Sequence, residues 1–255
     1  MYTIDVNCDL GESFGNYKCG MDEEVIPYIS SANIACGFHA SDPLIMAKTV
    51  EIAKGNGVSV GAHPGYPDLV GFGRRNMNVN ERELKAMVQY QVGALMAFCR
   101  AADVPLAHVK PHGAMYNMAA KDEKLALAIC EGIYEVDKNL ILLGLSRSKL
   151  LWAAGETGLP YASEAFVDRA YEEDGTLVAR SKPGSMIEDD EVAIKRVITM
   201  IKEGKVQAIT GKEIAIEPDS ICIHGDGVHA IAFARAIQTA FAAENIQIVP
   251  MKGRK

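Results

Sequence analysis

The chain has six cysteines, yet no two of them stand in a C-x-x-C pair, which removes the thiolate zinc ribbon and the redox dithiol from the functions it can carry. Cys8, Cys19, Cys36, Cys99, Cys130 and Cys222 are scattered instead, and the first residues have neither the basic nor the apolar region of a secretory signal. Reduced thiols in a cytoplasmic protein are the expectation. No apolar run approaches the length of a membrane span, and there is no low-complexity tract or short-period repeat. Cations are in deficit: 26 Lys and Arg against 33 Asp and Glu leave a formal net charge of -7. Nucleic acid and anionic membranes call for clustered Lys and Arg, so the expected partner is a small molecule, with no nucleic acid and no membrane. Two nucleotide signatures are missing as well. No G-x-G-x-x-G follows the first strand and nothing matches G-x-x-x-x-G-K-[ST], so neither a dinucleotide fold nor a P-loop is expected.

What is present suffices for one large domain over residues 1–255, since 49% of the residues are hydrophobic and can fill a core without disulfides or a metal staple. Over residues 3–9, Ile4, Val6 and Cys8 alternate with Asp5, Asn7 and Asp9, the period of a strand with one greasy face and one polar face. Further strands are expected at residues 32–37, 58–62, 106–112, 140–145, 161–169 and 220–224. Helices separate them. Asp42-Pro43 reads as an N-cap and first-turn proline with Met46, Val50 and Ala53 as the buried stripe. Asn80 with Glu83 reads as a capping box ahead of Leu84, Val88, Val92, Leu95 and Cys99. Leu125, Ile129, Ile133 and Val136 mark another helix, residues 149–154 a short one, and Ala230, Phe233, Ala234, Ile237 and Phe241 the last. Residues 177–216 give a weaker pattern: an extended piece, a helix carrying Ile194, Val197, Ile198 and Ile201, and a hairpin over 208–214.

About seven strands alternating with helices predict an α/β protein, a distorted seven-stranded parallel (β/α) barrel whose site lies at the C-terminal rim. An open doubly wound sheet is the fallback.

The stretch at 106–117 organises the candidate site. Ala107 and Val109 project to one side, and His108, Lys110 and His112 to the other. Three nitrogen-bearing side chains on one face of a buried strand cost desolvation energy unless that face opens into a polar cleft or holds an ion. Other strand ends are equally polar: Asp9, His39, His63, Glu164 with Asp168, and His224 with Asp226. A lone histidine at a strand end is usually a hydrogen-bonded structural residue, but repetition across separate strands argues for chemistry. Two imidazoles and a carboxylate from different strands make an open divalent-metal site of the Zn or Mn type. His63 and His112 are the expected nitrogen ligands and Asp9 the oxygen ligand, with His39 a substitute for either histidine. The plainer alternative has Asp9 and His112 only hydrogen-bonding each other.

Lys110 beside cationic histidines would have a lowered pKa and could act as an acid or an electrostatic clamp; the plainer alternative is a salt bridge to Glu164 or Asp168. Arg74 and Arg75 follow a Gly-rich loop and suit a carboxylate or phosphate. The turn His224-Gly225-Asp226-Gly227 could present backbone N–H groups to an anion, or Asp226 could simply cap the helix behind it. Cys36 and Cys222 are weak nucleophile candidates, because a small buried thiol is the commoner case.

Read together, Asn7-Cys8-Asp9-Leu10-Gly11-Glu12, Ala32 through His39 with Asn33 inside it, Gly61-Ala62-His63-Pro64-Gly65-Tyr66-Pro67-Asp68, Val109-Lys110-Pro111-His112-Gly113-Ala114, Glu164 through Arg169 and His224-Gly225-Asp226 resemble the LamB/YcsF family, in order over nearly the whole chain. Met115 and Val167 depart from the pattern, where leucine and alanine are expected, without touching the chemistry. The resemblance implies a barrel similar to the glycoside hydrolase/polysaccharide deacetylase superfamily. It also implies a role in opening the lactam of 5-oxo-L-proline to L-glutamate with ATP hydrolysis, alongside the B and C subunits of a 5-oxoprolinase. Under it, Asp9, Lys110, His112, Glu164 and Asp168 are the catalytic candidates, and Asn33, His39, Arg74, Arg75, Arg169, His224 and Asp226 the substrate- or phosphate-binding ones. ATP and a divalent metal (Zn, Mn or Mg) are the cofactor candidates. An unstrained lactam resists hydrolysis, and phosphorylating its carbonyl oxygen would create a leaving group. Lys110, Arg74 or Arg75 would then neutralise phosphate or carboxylate while Asp9, alone or through metal-bound water, supplies the base. Two other functions fit the same residues, an ATP-independent metal-dependent deacetylase or amidase and a non-catalytic protein that binds a lactam or carbohydrate for its partners. Whether this chain binds ATP itself, and whether two copies pair as a homodimer, are left open by the sequence.

Overall fold

In the computed structural model, which describes residues 1–223 and 230–255, strands and helices alternate along the chain as the hydrophobic periods require. They are β1 (Tyr2–Leu10), α1 (Asp22–Val25), β2 (Ser31–Ala35), α2 (Pro43–Gly55), β3 (Ser59–His63), α3 (Glu81–Ala101), β4 (Leu106–Val109), α4 (Gly113–Ala119) and α5 (Glu123–Val136). Then come β5 (Ile141–Leu145), α6 (Lys149–Thr157), β6 (Tyr161–Phe166), α7 (Asp190–Glu203), β7 (Lys205–Gln207), β8 (Glu213–Ala215), β9 (Ser220–Ile223), α8 (Ala230–Ala243) and β10 (Ile246–Ile248). The order β1-β2-β3-β4-β5-β6-β9 closes by parallel pairing of β9 back onto β1, which makes a seven-stranded parallel barrel.

The helix starts follow their capping residues. Asp42 accepts from Leu44 N at 2.8 Å and Ile45 N at 3.0 Å, with Pro43 in the first turn of α2. At α3 the capping box closes both ways, Asn80 Oδ1 accepting from Glu83 N at 2.9 Å and Glu83 Oε2 from Asn80 N at 3.0 Å. The buried stripe of α3 is Leu84, Val88, Val92, Leu95 and Cys99, joined by Gln91, whose amide bonds both Gly65 N and Gly65 O across the barrel wall at 2.9 Å.

Three elements differ from the sequence expectation. Strand β6 stops at Phe166, because Val167–Arg169 leave the barrel for an excursion in which Arg169 bridges Met186 and Tyr171 bridges Leu177. The hairpin is displaced: β7 and β8 pair antiparallel on either side of residues 208–212, which form its turn. Strand β10, which the sequence did not announce, adds parallel to the first residues of β1 below the barrel. No helix among the described residues is long and apolar enough to cross a membrane, and all six cysteines are free.

Strand alternation sorts the chemistry. On β1, Ile4, Val6, Cys8 and Leu10 join the apolar layer between sheet and helices, while Asp5, Asn7 and Asp9 face the lumen together with Asn33, His108, Lys110, Glu164, Ser220 and Cys222. The lumen is therefore a polar ladder rather than the usual stack of branched aliphatics. At its floor the Asp5 carboxylate accepts from Ser30 and Ser31, each at 2.6 Å, and from Ser220. Burial raises the Asp5 pKa, opposed by these hydroxyls.

Candidate active site

The ladder rises to the C-terminal ends of the strands. Asn33 on β2 sits at its centre, its Nδ2 donating to Asn7 Oδ1 and Asp9 Oδ1, both at 2.8 Å, and its Oδ1 lying 2.7 Å from His108 Nε2. That last bond sets the histidine tautomer: Nε2 must carry the proton, since Oδ1 can only accept. Burial, with Lys110 nearby, pushes the His108 pKa down to about 3, so the ring is neutral at physiological pH. The Lys110 ammonium is ringed by Glu164 Oε1 at 2.7 Å, Asp9 Oδ1 at 3.0 Å, Asn7 Oδ1 at 3.1 Å and Cys222 Sγ at 3.3 Å. Burial alone would depress this lysine, but Asp9, Cys222 and Glu164 carry it well above its ordinary value. The expectation of a lowered Lys110 pKa is corrected here: its neighbours are carboxylates rather than cations.

Above Lys110 the carboxylate of Asp9 is shared. One oxygen takes Lys110 and Asn33; the other lies 3.3 Å from His63 Nε2. Burial would raise the Asp9 pKa, yet His63 and Lys110 hold it well below the usual carboxylate range. Three imidazoles complete the mouth. His39 stacks on His112 with centroids 3.7 Å apart and planes 1° from parallel, and His63 meets both edge-on. His63 Nδ1 lies 2.7 Å from the Lys110 carbonyl and His112 Nε2 lies 2.8 Å from that of Phe72. Both of those nitrogens must donate. The remaining nitrogens, His63 Nε2 and His112 Nδ1, face each other at 2.9 Å, and in neutral rings both are lone pairs. Two lone pairs at that distance repel unless a proton or a cation lies between or beside them.

Glu12, in the turn after β1, supplies the second carboxylate, 3.3 Å from His39 Nε2 and 3.6 Å from His112 Nδ1. Burial and the charge of Asp9 raise its pKa. Burial lowers both His39 and His112 well below the usual imidazole value. One potential donor atom from each of Glu12, His39, His63 and His112 falls within a sphere of mutual distances up to 4.8 Å, and this donor set suits a borderline divalent cation. The sequence named Asp9, His63 and His112 for that role. The structure brings Glu12 and His39 into the group and leaves Asp9 beside it, with one oxygen committed to Lys110 and Asn33. No Asp9–His112 hydrogen bond forms among the described contacts.

Asp9, Glu12, His63, Lys110 and His112 floor a cleft of about 630 Å³ also lined by Asp22, Arg74, Tyr116, Phe166, Arg169 and Arg180, with His39 buried behind them. Other sequence candidates fall outside it or beneath it. Asn33 and Glu164 are fully buried below the mouth; Glu164 accepts from Tyr116 Oη at 2.6 Å besides pairing with Lys110. Asp168 lies past β6 and is not among the lining residues. Of the two adjacent arginines, Arg74 lines the cleft, while Arg75 is spent on Asp68, whose pKa it holds down at about 2. His224 and Asp226 lie outside the described residues. Sequence reasoning missed Glu12, absorbed into a turn, and Asp22, whose carboxylate accepts from Gly11 N at 2.8 Å while burial pushes its pKa up to about 6. An acid three residues past a polar strand end was the available signal for Glu12.

Comparison with known proteins gives one consistent picture. The LamB/YcsF family profile matches residues 4–255. The chain is 68% identical over 251 residues to the 5-oxoprolinase A subunit of Clostridium beijerinckii, covering 98% of each chain. It is 51% identical to the Bacillus subtilis protein of the same name, covering 100% of this chain and 99% of that one. Among solved structures, a lactam utilization protein from Thermus thermophilus superposes with a TM-score of 0.92 at 45% identity, over 97% of this chain and 99% of that one.

Proposed function

This chain belongs to the LamB/YcsF family, and from that premise we propose that it is the A component of a 5-oxoprolinase, a hydrolase that opens the lactam of 5-oxo-L-proline to L-glutamate with ATP hydrolysis, in complex with B and C subunits. Relatives of that name over the full length support the activity. The observation that carries the assignment to this cleft is the meeting of two carboxylates, three imidazoles and a clamped lysine at one set of strand ends.

The two carboxylates divide the work, because their surroundings push their proton affinities apart. Asp9, held down by His63 and Lys110, stays ionised and fixes the local field. Glu12, raised by burial and by Asp9, is the carboxyl suited to exchange a proton. With the terminal phosphoryl group of ATP on the lactam carbonyl oxygen, Glu12 takes the proton from the water that attacks that carbon; the carbon–nitrogen bond of the ring breaks as the proton passes to the departing nitrogen, and the acyl phosphate left behind is cleaved by a second water to L-glutamate and phosphate. Lys110 acts through Asp9, its donors being occupied. Glu164, Tyr116 and Asn33 hold those two groups in register from below. Glu12, His39, His63 and His112 fit a divalent cation, since two opposed lone pairs call for a positive charge beside them. Such an ion would lower the pKa of a bound water and polarise a carbonyl.

The same donor set favours one second reading, an ATP-independent metal-dependent deacetylase or amidase. A single assay separates the two: glutamate release from 5-oxoproline, with ATP present and absent, for this chain alone and mixed with B and C subunits. Release only with ATP and partners is expected; no release in any mixture of competent partners overturns the proposal. Replacing His112 by alanine is expected to abolish turnover with the circular dichroism unchanged, and a fully active variant would remove His112 from the catalytic group.

A further inference from the structure

Part of the cleft wall is built by the excursion that follows β6, which contributes Arg169 and residues 176–180 to the lining. Arg169 stands at its root. Its backbone neighbours are pinned on both sides, Ile187 N donating to Asp168 O at 2.8 Å and Ala170 N donating to Ser185 O at 2.9 Å, with Arg169 itself bridging Met186. The guanidinium is oriented by Nη2, which donates to Val178 O at 2.6 Å. The residue is only 6% exposed, yet it lines the cleft, and its Nε has no hydrogen-bond partner among the described residues.

A guanidinium cannot escape burial by losing its proton, as a lysine or histidine can. A buried one is normally matched by a carboxylate in contact, because taking a cation from water costs several kcal/mol by order of magnitude. No described carboxylate lies within ion-pair distance of Arg169. Its charged neighbours include further cations: Arg180, and Arg74 from the loop after β3, both disfavour its charge, with Asp168 acting in the opposite sense. Both arginines also line the cleft. Fixed, buried, positively charged and lining the cleft with no described carboxylate paired to it, this group is arranged for an anion.

We propose that Arg169, flanked by Arg74 and Arg180, forms an oxyanion-binding subsite in the cleft wall that recognises the carboxylate or a phosphoryl group of the molecule being processed. The histidine end then holds the reacting carbonyl while the arginine end reads the charged substituent, which makes Arg169 a specificity-determining residue. The choice of a lactam as probe rests on the proposed 5-oxoprolinase function; the subsite itself does not.

The test is calorimetric titration of the full chain and its Arg169→Gln and Arg169→Lys variants with three probes: 5-oxo-L-proline, 2-pyrrolidinone, which is the same lactam without the carboxylate, and inorganic phosphate. Arg169→Gln is expected to weaken 5-oxoproline binding about 10- to 100-fold and to leave 2-pyrrolidinone unchanged, with Arg169→Lys in between because a point charge replaces the planar fork. If the subsite takes phosphoryl groups, phosphate binding falls in both variants while 5-oxoproline is unmoved. Arg169-dependent phosphate binding by a chain that ignores both lactams would keep the subsite and sink the lactam function. Equal affinities in all three proteins, or no binding of any probe by the unaltered chain, overturns the subsite. Should the glutamine variant not fold, the lysine variant carries the comparison, with a loss of about 10-fold expected for either anion.

Discussion

Gly61 on β3 faces the lumen without a side chain because that space belongs to the imidazole of His108: a Cβ there would lie 2.1 Å from Nε2. Replacing Gly61 by alanine must push the ring off Asn33, and Asn33 in turn orients Asp9. The expected result is a loss of about 1–3 kcal/mol in urea unfolding, as for other overpacked interiors, together with a fall in turnover much larger than a surface change of equal stability cost would give. Turnover that tracks stability alone would remove the ladder from the mechanism. Asp22 offers a pH test. Its pKa is about 6 in the folded chain against an ordinary 3.8, so between those values the folded protein keeps a proton that the unfolded chain has released. Stability from this group is complete below the lower value, declines as pH rises, and is gone above the upper one. Asp22→Asn is therefore expected to flatten that decline and to be more stable than the parent by about 2–3 kcal/mol near neutral pH, read from denaturant midpoints on either side of the window. An unchanged slope would mean that Asp22 is not the group responsible.

At the scale of elements, end signals decided what could be read in advance. Helices α2 and α3 begin where Asp42 and the Asn80–Glu83 pair place them, because a cap works through residues two or three positions away. Asn80→Ala is expected to cost about 1 kcal/mol in thermal or denaturant unfolding while leaving turnover unchanged, since the α3 cap lies outside the cleft. A loss of activity without a loss of stability would contradict that separation. Strands β7, β8 and β10 were poorly legible for the opposite reason: each has three residues, too few for a period to emerge, and is held by a partner strand rather than by its own pattern. Strand β6 was read too long because Ala162, Glu164, Phe166 and Asp168 keep one parity past the point where the backbone turns out of the barrel to build the arginine wall.

Across the whole molecule, closure of the barrel brings residues more than 200 positions apart into one lumen: Asn7 meets Ser220 at 2.7 Å, and Lys110 from the middle of the chain meets Asp9 and Cys222. A cation held by Glu12, His39, His63 and His112 would tie together the ends of three strands and the turn after β1, so its binding free energy adds to the stability of the folded chain. Added Zn or Mn at about 100 times its Kd is expected to stabilise the protein by about 2.7 kcal/mol, a rise of roughly 5–10 °C in Tm, reversed by chelator and absent in His63→Ala. Equal Tm values with and without metal in the unaltered chain would leave a shared proton between His63 and His112 as the charge that their geometry demands.

The sequence by itself determined that strands and helices would alternate, that six of the seven strands would end in polar residues, and that Asp9, His63, Lys110 and His112 would gather at one rim, because alternation and caps act over a few neighbouring residues. Which residues would be buried beneath the rim and which would open onto the cleft was decided only by tertiary structure. Asn33 and Glu164 look as suited to the site in sequence as Asp9, but barrel closure covers those two and leaves Asp9, with the unannounced Glu12, at the mouth. Proton affinities followed from the same closure. Lys110 is raised by carboxylates from β1 and β6 and Glu12 by burial beside Asp9, and such effects depend on distances across the lumen that no local pattern encodes.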